Sequence, residues 1–154
     1  MLKIVLYEPE IPPNTGNIIR LCANTGCSLH LIEPLGFDLE DKKMRRAGLD
    51  YREYANLKRY KNFDNFLSEH NSPRVFGIST RGKKSYHEET FQPQDAIVFG
   101  PETRGLPAQL LDDLGPANTL RIPMKGDSRS LNLSNAAALV AYEGLRQMGF
   151  EGLS

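Results

Sequence analysis

The stretch RIPMKGDSRSLNLSNAAA, residues 121–138, passes from strand to loop to helix within a few turns of chain. Leu120, Arg121 and Ile122 form a short β-like run, and Pro123, which has no N–H to give to a ladder, ends it. A polar loop with one glycine follows from Lys125 to Ser130. Asn132 or Ser134 then caps a helix that runs to about Met148, with Gly149 as its stop signal. A strand, a tight polar loop and a helix N-terminus present backbone N–H groups to a ligand. An ordinary βα turn needs one cap, whereas Ser128, Ser130, Asn132, Ser134 and Asn135 offer five candidates. That crowding marks the loop as a binding element.

Upstream of this stretch, apolar runs alternate with helical patterns. Strands are predicted at Leu2–Leu6, Leu29–Glu33, Arg74–Ser79 and Ala96–Phe99, with a further short one at Tyr51–Ala55. Helices are predicted from Asn14 or Thr15, as cap, to about Thr25, and over Asp41–Ala47, Asn62–Glu69 and Pro107–Leu114. Ile18, Leu21 and Cys22 fall on one face of the first helix, which places Cys22 in the core. Short apolar strands alternating with helices indicate an α/β fold, a mostly parallel sheet covered by helices on both faces. In such sheets ligands bind beyond the carboxyl ends of the strands. Unusual loops follow three of those ends: ISTRGK turning at Ser79, GPETRG after Phe99 and PMKGDSRS after Ile122.

Composition narrows the function classes. At 154 residues the chain is expected to form one domain spanning residues 1–154, with 40% hydrophobic and 25% charged residues in an ordinary globular balance. No apolar run approaches a membrane span, and the N-terminus enters structure without a signal peptide, which fits a reduced, cytoplasmic chain. Cys22 and Cys27 lie in CANTGC, a spacing that matches no zinc pattern. His30, His70 and His87 are scattered in sequence, so no metal is expected. Net charge is zero, but residues 1–84 hold 14 Lys and Arg against 10 Asp and Glu, and residues 85–154 hold 5 against 9. The basic excess includes Lys42, Lys43, Arg45 and Arg46, then Lys58, Arg59 and Lys61, then Arg81, Lys83 and Lys84, and it favours a polyanionic partner.

The common nucleotide motifs are missing. No G-x-G-x-x-G follows the first strand, no P-loop occurs, and there is no G-x-S-x-G elbow. The serines near position 130 lack an evident histidine base. What the loops offer is glycine, proline, hydroxyl and amide groups, a set suited to holding a ligand through backbone contacts. Group transfer from an activated donor fits such a site, because the donor carries the reactivity and the protein supplies orientation.

Three segments carry a family resemblance: NTGNIIR at Asn14–Arg20, FGPETRGL at Phe99–Leu106, and IPM followed by SRSLNLSNA between Ile122 and Ala136. In order and separation they resemble the three motifs of the SpoU branch of the SPOUT RNA 2′-O-ribose methyltransferases, and LYEPEIPPNTGN and RRAGLDY extend the likeness along the chain. The resemblance implies a SPOUT fold with a C-terminal deep trefoil knot around S-adenosylmethionine. It also implies methyl transfer from that cofactor to the ribose 2′-OH of the wobble nucleotide of leucine tRNA, a cytidine or modified uridine. Methylation of another tRNA or rRNA nucleotide, or a non-catalytic RNA-binding module, are the alternatives.

By the same resemblance, Ile78, Gly100, Ile122 and Ser130 contact the cofactor, with Met124 and Leu131 nearby. Asn14, Arg20, Glu102, Ser130 and Asn132 match catalytic or site-shaping positions. Arginine stays protonated in proteins and is badly matched as a plain base; Arg20 suits a phosphate anchor, with Glu102 holding neighbouring backbone or Arg20 in place. Lys42, Lys43, Arg45 and Arg46 are the expected RNA phosphate contacts. A homodimer is expected, with Ala136, Ala137, Ala138, Ala141 and Gly144 letting a second helix approach and Tyr142 adding contact area.

Overall fold

A computed structural model describes residues 1–39 and 56–154. Alternation along the strands decides the layering. In β1 (Lys3–Tyr7), Ile4 and Leu6 join one buried cluster while Val5 joins another, and in β6 (Ala96–Phe99) Ile97 and Phe99 part from Ala96 and Val98 in the same way. Successive side chains leave a strand on opposite faces, so both faces of this sheet are apolar and need cover. Helices α1 (Pro12–Thr25) and α4 (Leu133–Gln147) cover one, through Ile18, Ile19 and Cys22 and through Ala137, Val140 and Ala141. Helices α2 (Phe63–Glu69) and α3 (Ala108–Leu114) cover the other, through Phe66 and through Leu110 and Leu111.

The remaining strands are β2 (Ser28–Ile32), β3 (Leu57–Tyr60), β4 (Val75–Ile78), β5 (Lys84–Ser85) and β7 (Thr119–Arg121). All seven form one parallel sheet in the order β3-β2-β1-β6-β4-β7-β5. The register pairs Ile78 of β4 with Phe99 of β6 on one side and with Leu120 of β7 on the other. Three adjacent strands therefore end level, and the loops that follow them emerge side by side.

Several expectations are corrected. Helix α1 begins at Pro12, ahead of the Asn14 or Thr15 cap read from the sequence; its N-cap, Ile11, makes no side-chain cap bond. Proline at the first helical positions has φ already set and lacks an N–H that would go unpaired anyway, so the Pro12–Pro13 pair starts the helix without a polar cap. Asn14 is thereby freed for other partners, and it is buried. Pro107 is the N-cap of α3 rather than its first residue. Leu57–Tyr60, read as part of a basic cluster, is an edge strand whose Lys58 and Arg59 are exposed. The helix expected at Asp41–Ala47 and the strand expected at Tyr51–Ala55 lie outside the described residues.

The small residues of α4 face inward. Ala137 and Ala141 are fully buried, and a Cβ on Gly144 would stand 2.6 Å from Leu2 Cδ1. They let α4 sit close to its own sheet and to α1. The outward face carries Leu139 and Tyr142, each 44% exposed, with Phe150 6.5 Å from the Tyr142 ring.

His30 and His70, far apart in sequence, meet behind β2 and β3. Tyr60 Oη lies 2.8 Å from His30 Nδ1 and 2.8 Å from His70 Nε2, and Ser28 Oγ lies 2.8 Å from His30 Nε2. Burial pushes the His30 imidazole down to about 3, and His70, Lys3 and Lys58 act in the same direction. The ring is thus held neutral and fully hydrogen-bonded. Cys22 and Cys27 are buried free thiols, and burial raises both.

Candidate active site

The loops after β4, β6 and β7 enclose a cleft of about 570 Å³. Its floor depends on Gly100. A Cβ there would stand 2.4 Å from both Gly105 C and Leu106 N, so the PETRG loop can fold back over β6 only because residue 100 has no side chain. Gly105 (φ +71) closes that loop, with its N–H bonded to Pro101 O at 2.9 Å. Around this backbone floor lie the apolar side chains of Ile78, Phe99, Leu106, Ile122 and Leu133. The result is a partly apolar, backbone-lined cradle.

The polar end of the cleft is organised by Glu102. Its Oε1 accepts the N–H of Glu10 at 2.8 Å, and its Oε2 accepts the N–H of Ile11 at 2.7 Å and Asn14 Nδ2 at 3.3 Å. A carboxylate at the start of α1 suits the free N–H groups and positive dipole end found there. Glu102, expected to hold neighbouring backbone or Arg20 in place, holds backbone, that of residues 10 and 11. Glu10 returns the contact: its Oε1 accepts Thr103 N at 2.9 Å and Thr103 Oγ1 at 2.8 Å. The Thr103 N–H holds the Glu10 carboxyl below the usual carboxylate range. Two loops are laced together by carboxylates pointing in opposite directions.

The lacing extends across the cleft. Asn14 Oδ1 accepts Asn132 Nδ2 at 3.0 Å, and Asn132 Oδ1 caps α4 by accepting Ser134 N at 2.9 Å and Asn135 N at 3.3 Å. Of the two cap candidates Asn132 and Ser134, it is Asn132 that caps α4. One chain of hydrogen bonds, Glu102 to Asn14 to Asn132, links the motifs after β6, in α1 and after β7. Among the described residues, Glu102 is the only carboxylate lining the cleft. Three donors engage it, so it braces the backbone of residues 10 and 11 and the Asn14 side chain.

Nine of the ten positions expected to bind cofactor or act in catalysis line this cleft: Asn14, Ile78, Gly100, Glu102, Ile122, Met124, Ser130, Leu131 and Asn132. Arg20 does not. It lies six residues beyond Asn14 on α1, which turns it roughly 120° away around the helix. Lys42, Lys43, Arg45 and Arg46 lie outside the described residues. Sequence reading missed the part played by Glu10 and Thr103, and it overlooked Arg129, whose side chain joins Arg81 and Arg104 at the cleft. Arg81 stood in a strand-end loop already marked as unusual, which was signal enough; Glu10 and Thr103, 93 residues apart, gave none.

The sequence pattern of the SpoU rRNA methylase family matches residues 1–142. The chain belongs to that family. It is 57% identical over 152 residues to a tRNA (cytidine(34)-2′-O)-methyltransferase of Saccharophagus degradans, with 99% of each chain covered. A solved structure described as giving insight into the 2-OH methylation of C/U34 on tRNA shares 47% identity and a TM-score of 0.90, with 97% of each chain covered. The SpoU methyltransferase AviRb of Streptomyces viridochromogenes, solved with the cofactor AdoMet, shares 25% identity and a TM-score of 0.81 over 96% of this chain and 58% of its own.

Proposed function

We propose that this SpoU-family enzyme transfers the methyl group of S-adenosylmethionine to the ribose 2′-OH of nucleotide 34, a cytidine or modified uridine, in leucine tRNA. The observation that carries the reading is the cleft itself, in which all three motif loops meet around a backbone cradle and one amide–carboxylate chain. Likeness over nearly the whole chain to tRNA (cytidine(34)-2′-O)-methyltransferases supports the choice of nucleotide.

The residues present fit the cofactor. Gly100 lets the PETRG loop fold back over β6 to form the cleft floor, and Ile78 and Ile122 offer apolar walls to an adenine ring. When bound, S-adenosylmethionine supplies a methyl group on a sulfonium. The chain's own residues have to orient the ribose O2′ hydroxyl that receives this methyl group and let its proton depart. Asn14 and Asn132, fixed by Glu102, orient groups at the polar end of the cleft, with Ser130 beside them. The engaged Glu102 is not assigned the proton. That role falls to an RNA phosphate anchored by Arg20, which relays it to solvent.

The enzyme acts as a homodimer in which Arg20 reaches the partner subunit's cleft. The position of Arg20 outside its own cleft supports this arrangement, as do exposed Leu139 and Tyr142 on α4. The test is methyl transfer from labelled cofactor to a leucine tRNA transcript, with nucleotide 34 isolated for mass analysis. Label in a 2′-O-methylated nucleotide 34 is expected; label on a base, or only at another nucleotide of the transcript, would overturn the reading.

A further inference from the structure

We propose that Arg81 and Arg129 hold the RNA phosphates beside the acceptor ribose, and that Arg121 positions Arg81 for this. This inference rests on the reading of the cleft as an RNA ribose methylation site. Three arginines are among the residues that line the cleft, Arg81, Arg104 and Arg129. Arg104 is engaged, with Nη2 3.5 Å from Glu8 Oε1 and Nε 3.8 Å from Glu10 Oε2. The side chains of Arg81 and Arg129 make no ion pair or hydrogen bond among the described residues, and both are exposed. The single carboxylate of the cleft among the described residues, Glu102, is already taken by the N–H groups of residues 10 and 11 and by Asn14. The cleft thus presents two uncompensated positive charges to whatever enters it.

Arg81 is held in place with unusual care for an exposed arginine. Its backbone N–H bonds to Ser79 Oγ at 3.1 Å, and Gly82 N bonds back to Ser79 O at 3.1 Å, closing a tight turn. Gly82 is pressed against β7, where a Cβ would stand 2.8 Å from Leu120 C and O. Arg121 of β7 donates its Nη1 to Thr80 O inside the same turn. Arg129 comes from the other wall, on the loop between β7 and α4. One charge sits on a clamped turn and the other on the loop that bears Ser130.

Charge decides between the two ligands that could enter. S-adenosylmethionine carries one carboxylate against a sulfonium and an ammonium, so its net charge is positive and two further cations beside it repel. An RNA strand brings one negative charge for every phosphate and releases condensed counterions when guanidinium groups replace them. Arginine also matches a phosphate with a planar fork of donors. The phosphates are therefore the better occupants.

The experiment measures binding of a leucine tRNA transcript against salt concentration for wild type, Arg81→Ala, Arg129→Ala and the two lysine variants, with cofactor affinity measured in parallel. Each alanine change should lower the slope of log affinity against log salt by about 0.7–0.9 and weaken binding about five- to eightfold near 0.1 M salt. Lysine keeps the charge and should keep the slope, which separates loss of a phosphate contact from loss of structure. Arg121→Gln, which frees the turn, should raise KM for tRNA more than it lowers kcat. Unchanged slopes in both alanine variants would overturn the proposal. So would a loss of cofactor affinity with the slopes intact, since it would give the guanidinium groups to the donor's carboxylate. Turnover of wild type on the same transcript is scored separately, so failure of the methylation reading is distinguishable from failure of the arginine assignment.

Discussion

Replacing Glu102 by glutamine tests whether the carboxylate acts as a brace or as a base. Glutamine has the same shape, but its amide oxygen can accept only from one side, and its NH2 would face a second N–H donor. Of the bonds at 2.8 Å to Glu10 N and 2.7 Å to Ile11 N, one survives and one becomes a donor–donor contact. A hydrogen bond to a charged group is worth about 1.5–3 kcal/mol. Ile11 is exposed, so water can satisfy the abandoned N–H in part, and a net cost of about 1–2 kcal/mol follows. For a chain of this length that lowers Tm by about 2–8 °C. Release of Asn14 also loosens Asn132, and misplacement of positioning groups by about 1 Å can cost roughly 100-fold in rate. Thermal unfolding and steady-state methyl transfer to leucine tRNA read the two effects together. A brace gives a lower Tm, a lower kcat and an unchanged shape of the kcat–pH profile. An unchanged Tm, with the acidic limb of that profile abolished, would refute the reasoning and make Glu102 the proton acceptor.

Gly100→Ala drives a Cβ to 2.4 Å from backbone on the PETRG loop, so a loss of about 1–3 kcal/mol is expected with weakened cofactor binding; denaturation and calorimetry check it, and wild-type values in both would show the loop yields freely. Arg20→Ala should abolish methyl transfer with cofactor affinity nearly unchanged. Mixed at random with Ser130→Ala chains, it should recover about a quarter of wild-type activity if each cleft takes its arginine from the partner subunit, and none in confirmed heterodimers if it does not. His30 remains neutral in the fold down to about 3, against an ordinary value near 6.5, so the unfolded chain binds the extra proton between those values. Stability contributed by this site is therefore full above pH 6.5 and falls as pH drops, by up to about 1.4 kcal/mol per unit; His30→Gln should flatten urea-midpoint curves in that range, and an unflattened curve would remove His30 as the cause.

Much of the site was legible because its parts are local. Apolar runs ending at Ile78, Phe99 and Ile122 declared strands, and the glycines and hydroxyls after them declared loops. A parallel sheet then placed the loops at one edge. Residue type narrowed the cap of α4 to Asn132 or Ser134, and the fold uses Asn132. The Glu102 bracket was not legible, since its partners lie 91 and 92 residues away and are backbone groups that carry no side-chain signal. Edge strand β3 was hidden by Lys58 and Arg59, which are tolerated because an edge strand needs only partial cover. The small residues of α4 read as a surface for another chain, but Gly144 packs against Leu2, at the far end of the sequence. His30 and His70 illustrate the same limit: a polar contact across 40 residues left no periodic trace.

The central claim is methyl transfer to the ribose of nucleotide 34. A 2′-O-methyl group removes the hydroxyl that attacks the adjacent phosphodiester, so alkaline hydrolysis stops at a methylated position. Leucine tRNA from cells carrying this gene, from cells lacking it, and from cells restored with the Glu102→Gln variant should be compared by hydrolysis ladder. The account predicts a gap after nucleotide 34 with the wild-type gene, its disappearance without the gene, and a faint gap with the variant. An identical ladder with and without the gene would contradict it.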